Sequence, residues 1–260
     1  MQPIEIADPA DERLADFRDL TDADVRPDRR GIVIAEGGNV VERLIASPYR
    51  VRAVVGVPSR IDALRDALST VDAPVYVVDK WLLSEVVGFR VTRGVLASAA
   101  RSEPPSLDAV LAGAQRLAVL ESLNDFENLG ALFRNAAAFG VDAVLLDPQC
   151  ADPLYRRSVR VSMGHVLRVP FTVLASWPMS LKALRDNDFR VLAMTPRDDA
   201  VPLRDVPRPD KWAVLLGAEG AGLSQAAMAQ ADALVRIPMS GGVDSLNVAT
   251  AAAVAFAQLG

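Results

Sequence analysis

Three short stretches pair glycine-rich loops with a few polar side chains that could bind a ligand or handle charge. In "NLGALFRNAAAFG" a lone arginine, Arg134, sits among small and apolar residues, and Asn128 stands where a helix N-cap would satisfy free backbone amides. Taken alone, Arg134 also reads as a surface arginine whose stem covers apolar surface while its head reaches water. In "WAVLLGAEGAGLS" an apolar strand runs straight into a glycine turn and then a helix. Glu219 is the one carboxylate of that turn, where glycine lets backbone crowd a ligand; its plainer role is to order the turn by accepting backbone amides. In "IPMSGGVDSLN" Pro238, Gly241 and Gly242 make an irregular loop, and Ser245 or Asn247 can cap the apolar helix that follows. Taken singly, each stretch is a weak signal: a ligand crowded by glycine backbone is one reading, and ordinary capping and turn order is the other.

The second stretch invites a dinucleotide-binding reading, and its spacing argues against it. The glycines fall as G-x-x-G-x-G rather than G-x-G-x-x-G, and no acid follows the next strand, "ALVRIP", to hold a ribose hydroxyl. A nucleotide-dependent oxidoreductase is therefore disfavoured.

These stretches need a scaffold. "RGIVIAEGG", "VRAVVGV" and "APVYVVD" read as strands alternating with the helices "NVVERLIAS", "RIDALRDALS" and "KWLLSEVVG", an α/β pattern. "RSEPPSLDAVLAG" carries two prolines and marks a boundary. Beyond it, "QRLAVLES", "DAVLLD", "VLRVPF", "RVLAMT", "WAVLLG" and "ALVRIP" read as strands interleaved with helices, a largely parallel, doubly wound sheet. Ligands of such sheets bind beyond the carboxyl ends of the strands, where the three stretches fall. The expected organisation is an acidic arm over 1–28, a smaller α/β domain over 29–105 and the larger α/β domain over 106–260.

Composition narrows the class. The chain is 51% hydrophobic and 23% charged, as expected of a globular protein with a sizeable core. Its one cysteine, Cys150, excludes an intramolecular disulfide. With no basic-then-apolar leader at its start, a cytoplasmic protein is expected. The terminal apolar run suits a buried or interface helix better than a membrane span. Residues 1–28 hold nine acids and three bases, so the rest is close to neutral with a net charge of +1. Within it "YRRSVRVSMGHVLR" offers Arg156, Arg157, Arg160 and Arg168 and no acid. That stretch is either a phosphate-binding face or a solvated one.

Together the motifs resemble the SpoU (TrmH-type) family of RNA ribose 2′-O-methyltransferases. The family pattern N-x-G-x-x-x-R-x-A-x-x-F-G is matched by Asn128, Gly130, Arg134, Ala136, Phe139 and Gly140, and G-x-E-x-x-G-L by Gly217, Glu219, Gly222 and Leu223. I-P-M-x-G-x-x-x-S-L-N-V is matched from Ile237 to Val248, and "VRVSMG" is similar to the family's R-x-S-x-G segment. The resemblance covers about residues 115–260; the first domain more loosely resembles the small substrate-binding α/β domain that precedes many such catalytic domains.

The resemblance implies a trefoil-knotted, mostly parallel C-terminal sheet, an exception to the rule that chains do not thread loops. It implies S-adenosylmethionine as cofactor, cradled at Thr195 to Pro196, Gly217, Ala218, Glu219, Ile237 to Met239, Ser245 and Leu246, and no metal. Asn128, Arg134, Glu219, Ser245 and Asn247 are the implied catalytic set. The family gives proton removal to the arginine matching Arg134, which is awkward for a group that is always protonated. The milder expectation is that Arg134 binds the hydroxyl oxygen and the adjacent phosphate and stabilises developing charge. His165, the only histidine, is expected to be structural. RNA, ribosomal rather than transfer RNA, would meet Arg134, Arg156, Arg157 and Arg160 and the first domain. A homodimer through the terminal helix and knot is implied; the alternatives are a transfer-RNA enzyme or an RNA-binding assembly factor that lost turnover.

Overall fold

Apolar runs punctuated by turn formers become two sheets in the computed structural model, which describes residues 3–21, 31–240 and 244–260. The chain divides into two units: Met1–Glu103 together with Leu154–Arg168, and Pro104–Pro153 together with Val169–Gly260.

The first unit contains β1 (Ile4–Glu5), β2 (Ile32–Glu36), β3 (Val51–Gly56), β4 (Val75–Val77) and β5 (Val95–Ala100) in the order β1-β4-β3-β5-β2. The β1, β4 and β3 strands run parallel, whereas β5 is antiparallel to both β3 and β2. Helices α1 (Gly38–Ile45), α2 (Pro58–Ala63), α3 (Arg65–Leu68) and α4 (Lys80–Val87) link them.

The structure departs from three expectations in this unit and its neighbouring segment. Residues 3–21 are not an arm. Asp11 caps a 3-10 turn over Glu12–Phe17 by accepting the Arg13 N–H at 2.9 Å, and Leu14, Phe17 and Leu20 are buried in the same core as Val55 and Val87. Asp16 accepts from Arg52 (2.8 and 3.1 Å) and from the Ser98 hydroxyl (2.8 Å). These apolar residues follow neither a 2- nor a 3.6-residue period, so periodicity hides them. Residues 22–28 of the expected arm lie outside the described residues.

The stretch "VLRVPF" is likewise not one strand: His165–Leu167 form a 3-10 turn and the strand starts at Phe171. The segment Leu154–Arg168, read from sequence with the second domain, packs in the first unit. Its helix α7 (Arg156–Val161) is fastened to the end of β2, where the Arg156 guanidinium lies 3.0 Å from the Glu36 carboxylate and 4.6 Å from the Phe89 ring centroid. Glu36 is 4% exposed and Arg156 17%. A buried carboxylate needs such a partner.

The second unit contains α5 (Leu107–Gly113), β6 (Arg116–Glu121), α6 (Phe126–Ala138), β7 (Ala143–Leu146), β8 (Phe171–Val173), α8 (Leu181–Asp186), β9 (Arg190–Met194), β10 (Val201–Pro202), β11 (Trp212–Gly217), α9 (Gln225–Met228), β12 (Ala233–Arg236) and α10 (Val248–Leu259). Its seven strands are all parallel, in the order β10-β12-β9-β11-β6-β7-β8. The last-but-one long strand, β11, is inserted between β9 and β6, and its residues Trp212–Leu216 are buried. Continuous apolar strands of this kind belong to sheets covered on both faces. The terminal helix α10 lies on this core, where Phe256 stacks on Trp212 with centroids 6.0 Å apart. It also meets α6, where the Asn135 amide donates to the Ala249 carbonyl at 2.8 Å. Because β6, β9, β11 and β12 are parallel neighbours, the loops that leave their carboxyl ends share one edge of the sheet.

Candidate active site

The loop after β11 is a closed turn built for glycine. Gly222 donates to the Ala218 carbonyl at 2.9 Å and the two residues form an antiparallel bridge. A side chain at Gly217 would place its Cβ 2.3 Å from the Gly222 carbonyl carbon and 2.5 Å from the Leu223 nitrogen. Gly220 and Gly222 have φ of +82° and +65°, the region glycine enters without penalty.

Behind the turn lies a residue that the motifs do not single out. Glu121, 5% exposed at the end of β6, accepts from the Ser224 N–H (2.8 Å), the Ser224 hydroxyl (2.7 Å) and the Trp177 indole (2.6 Å). Ser224 in turn caps α9 through the Ala227 N–H. The carboxylate thus ties the strand end to the residue that leaves the glycine turn. The visible signal is an acid closing an apolar strand. Glu121→Ala strands buried donors and is expected to lower stability by roughly 3 kcal/mol, read as a fall in the urea midpoint.

Asn247 joins the three motifs. Its Oδ1 accepts the N–H groups of Ala249 (3.0 Å) and Thr250 (3.2 Å), capping α10. That fixes Nδ2 as the donor end, and it reaches Asn128 Oδ1 at 2.7 Å and Glu219 Oε1 at 2.8 Å. Asn128 is not itself the cap of α6: that is Asp125, whose carboxylate accepts the Asn128 N–H at 2.7 Å. One turn into the helix, the Asn128 side chain is left free for Asn247. Asn247→Ala removes the cap and both cross-links, and is expected to cost about 1–2 kcal/mol, whereas Asn247→Asp keeps the cap but sets its second oxygen against two acceptors. Thermal unfolding of the two variants separates capping from cross-linking, because only the latter fails in both.

A cavity of about 460 Å³ opens at this edge. Thr195, Gly217, Ala218, Glu219, Ile237, Met239, Ser245 and Leu246, the eight residues singled out as a cradle, all line it, as do Pro196 and Asn247. Sequence reasoning missed Met194, Leu216, Val248 and Ala251, apolar wall residues of ordinary appearance. Gly241 and Gly242 lie outside the described residues. A second hollow, about 490 Å³, lies in the first unit, where Arg52 is paired with Asp16.

Not every candidate is brought to this cavity. Arg134 is exposed on α6 and is not part of the cavity wall; among the described residues it has no hydrogen-bond or ion-pair partner. Arg157, Arg160 and His165 lie with Arg156 in the first unit. Cys150 is no nucleophile: burial pushes its thiol up to about 12, far from the thiolate needed at neutral pH. Among the described residues there is no group of three or more His, Cys, Asp or Glu able to hold a metal, and no helix long and apolar enough to cross a membrane.

The profile of the SpoU rRNA methylase family matches residues 115–257, the span that carries the cavity. The chain belongs to this family of RNA methyltransferases. An uncharacterised tRNA/rRNA methyltransferase of Mycobacterium tuberculosis is 51% identical over 258 residues, covering 97% of this chain and 90% of its own. Among solved structures, an rRNA methyltransferase from Sinorhizobium meliloti with AdoMet bound is similar at a TM-score of 0.82 and 24% identity, over 100% of this chain and 98% of that one. An RNA 2′-O ribose methyltransferase is similar at a TM-score of 0.76 and 23% identity, over 98% of both chains. At these identities the two structures speak for the fold of this SpoU chain.

Proposed function

We propose that this chain transfers a methyl group from S-adenosylmethionine to a ribose 2′-hydroxyl of ribosomal RNA, as a cytoplasmic homodimer. The observation that carries the reading is the convergence of the loops after β9, β11 and β12 on one cavity walled by glycine and proline backbone and by apolar side chains. Its size falls in the range of small-molecule sites. Leu216, Ile237, Leu246 and Val248 offer apolar surface to an adenine, and the loops offer main-chain polar groups to the rest, so the ribose carboxylate of a dinucleotide site is not needed.

S-adenosylmethionine supplies an electrophilic methyl on a sulfonium, and the protein supplies binding and alignment. Asn247 fixes the directions of Glu219 and Asn128 at the rim. Arg134, with its five donors uncommitted among the described residues, binds the attacking hydroxyl and the neighbouring phosphate and stabilises charge developing on oxygen. Since guanidinium stays protonated, the hydroxyl proton goes to Glu219, a substrate phosphate or water. The insertion of β11 between β9 and β6 supports the knotted reading. Thr250, Val254 and Ala257, one stripe of α10 at helical spacing, stay accessible and give a partner helix close approach.

Calorimetry with S-adenosylmethionine, followed by mapping ribose methylation in RNA from a strain that lacks the protein, tests the proposal. Binding together with a missing ribosomal 2′-O-methyl, restored by added protein, is the expected result. Absence of cofactor binding sinks it. A missing mark on transfer RNA instead moves the substrate, and binding without transfer to any RNA leaves an assembly factor.

A further inference from the structure

The two ends of the first unit's sheet differ in charge balance. At one end the starts of β3 and β4 and the turn Glu12–Phe17 bring Arg13, Arg50 and Arg52 together with Glu12, Asp16 and Asp72. The other end is built from four loops in a row, held by main-chain bonds: Val78 N–H to the Gly56 carbonyl (3.1 Å), Val57 N–H to Gly94 (2.9 Å), and Gly37 N–H to Val95 (2.9 Å). Those loops and the helices α2 and α4 that leave them carry Arg93, Arg60 and Lys80, none with an ion-pair partner among the described residues, while Asp62 further along α2 is paired with Arg65. The acid of the loops themselves, Asp79, spends its carboxylate on the Leu82 N–H that begins α4. The nearby Glu36 is neutralised by Arg156. This end is uncompensated positive charge.

Two glycines set the arginines in place. A Cβ on Gly37 (φ +96°) would meet the Arg93 Cδ at 2.7 Å, and one on Gly94 (φ +72°) would meet the Arg60 Cγ at 3.2 Å. The arginine stems therefore lie across bare glycine α-carbons, which holds them against the loop edge. In the same row, beside Lys80, stands Trp81, 70% exposed. The other two tryptophans are committed, Trp212 to the core and Trp177 to Glu121. From β4 to β2 the row spans three strand spacings, roughly 14 Å.

We propose that this edge is an RNA platform that takes a single-stranded segment, with Trp81 stacking on an unpaired base and Arg60 and Arg93 contacting the flanking phosphates. The proposal rests on the chain being an RNA methyltransferase and adds the class of RNA it recognises. A row of unpaired cations matches the charge of a phosphate backbone. An indole standing free of the surface has no access to bases stacked inside a duplex, whereas bases of loops and bulges stack on aromatic side chains. The segment Leu154–Arg168, fastened at the neighbouring strand end through Arg156, belongs to the same unit.

The test measures binding of the full-length protein to a short oligouridine and to a short RNA duplex by fluorescence anisotropy across a salt series. Trp81→Ala is expected to weaken oligouridine binding about 5- to 150-fold with the salt slope unchanged, and Trp81→Phe to restore most of it. Arg93→Ala is expected to lower the salt slope by about one phosphate contact. The thermal unfolding midpoint should stay at the wild-type value in all three, which excludes misfolding of the first unit, and cofactor binding should stay unchanged because the cavity belongs to the second unit. Oligouridine binding by Trp81→Ala equal to wild type, or equal loss on the duplex, overturns the proposal. If wild type methylates RNA while Trp81→Ala binds normally, only the platform fails. If wild type neither binds nor methylates RNA, the functional reading fails as well.

Discussion

Arg134→Ala is expected to bind S-adenosylmethionine within about twofold of wild type and to transfer methyl about 100- to 1,000-fold more slowly, the range found when one donor to a developing oxyanion is removed. The separation of the two effects follows from position. Arg134 lies on the exposed face of α6, away from the cavity wall, with no partner among the described residues, so its loss breaks no contact that shapes the cradle. Exposed substitutions of that kind change stability by only about 0.5 kcal/mol. Neighbouring Asn135, by contrast, holds α6 to α10 through the Ala249 carbonyl and would confound the experiment. Arg134→Lys keeps the charge and loses the planar fork, and should fall between wild type and alanine. The measurements are cofactor calorimetry and isotopic methyl transfer to RNA under saturating cofactor. Transfer near the wild-type rate in Arg134→Ala removes the residue from the mechanism, while loss of cofactor binding places it in the cradle instead.

What the chain reveals before folding divides along physical lines. The second sheet is legible because "LAVL" and "WAVLLG" are apolar throughout, and only a strand covered on both faces requires that. Three loops at the ends of parallel strands then share an edge by geometry alone, so the residues around the cavity are legible too. The first unit is harder. Its strand β5, "VLASAA", has alanine or serine at four of its six positions and carries little strand preference; it is a strand because β2 and β3 flank it. Leu14, Phe17 and Leu20 are buried at a spacing of three, which matches a 3-10 turn and neither a strand nor an α-helix.

The remaining gaps are contacts between residues distant in sequence. Glu36 and Arg156 are 120 residues apart, and contacts such as theirs and that of Arg43 with the Met163 carbonyl show that "YRRSVRVSMG" belongs with the first unit and that one of its arginines is already committed. Asp125 and Asn128 are both good cap residues three positions apart. Composition does not choose between them, but the structure does, by giving the cap to Asp125 and leaving Asn128 for Asn247. Glu121 is the same kind of case, a lone acid whose three donors come from Trp177 and Ser224.

Gly217→Ala is the substitution expected to act most strongly on the cofactor. Its methyl group would lie 2.3–2.5 Å from the carbonyl of Gly222 and the nitrogen of Leu223, backbone atoms that no rotamer change can clear. The turn resists opening for three reasons. The Ala218–Gly222 bridge closes it, Leu223 is buried in the core, and Ser224 is held by both oxygens of Glu121. The clash must therefore be relieved by displacing Ala218, Glu219 and Gly220, which form part of the cavity wall. A fall in S-adenosylmethionine affinity of at least about 100-fold is expected, since misplacement by about 1 Å already costs that much in oriented sites. Gly220→Ala is the control: a Cβ there meets nothing within 4 Å, so only left-handed strain of roughly 1–2 kcal/mol applies and binding should weaken far less. Both variants are read by calorimetry, with circular dichroism to show that the parallel sheet survives. If Gly217→Ala binds the cofactor within a few-fold of wild type while folded, the glycine turn is not a wall of the cofactor site.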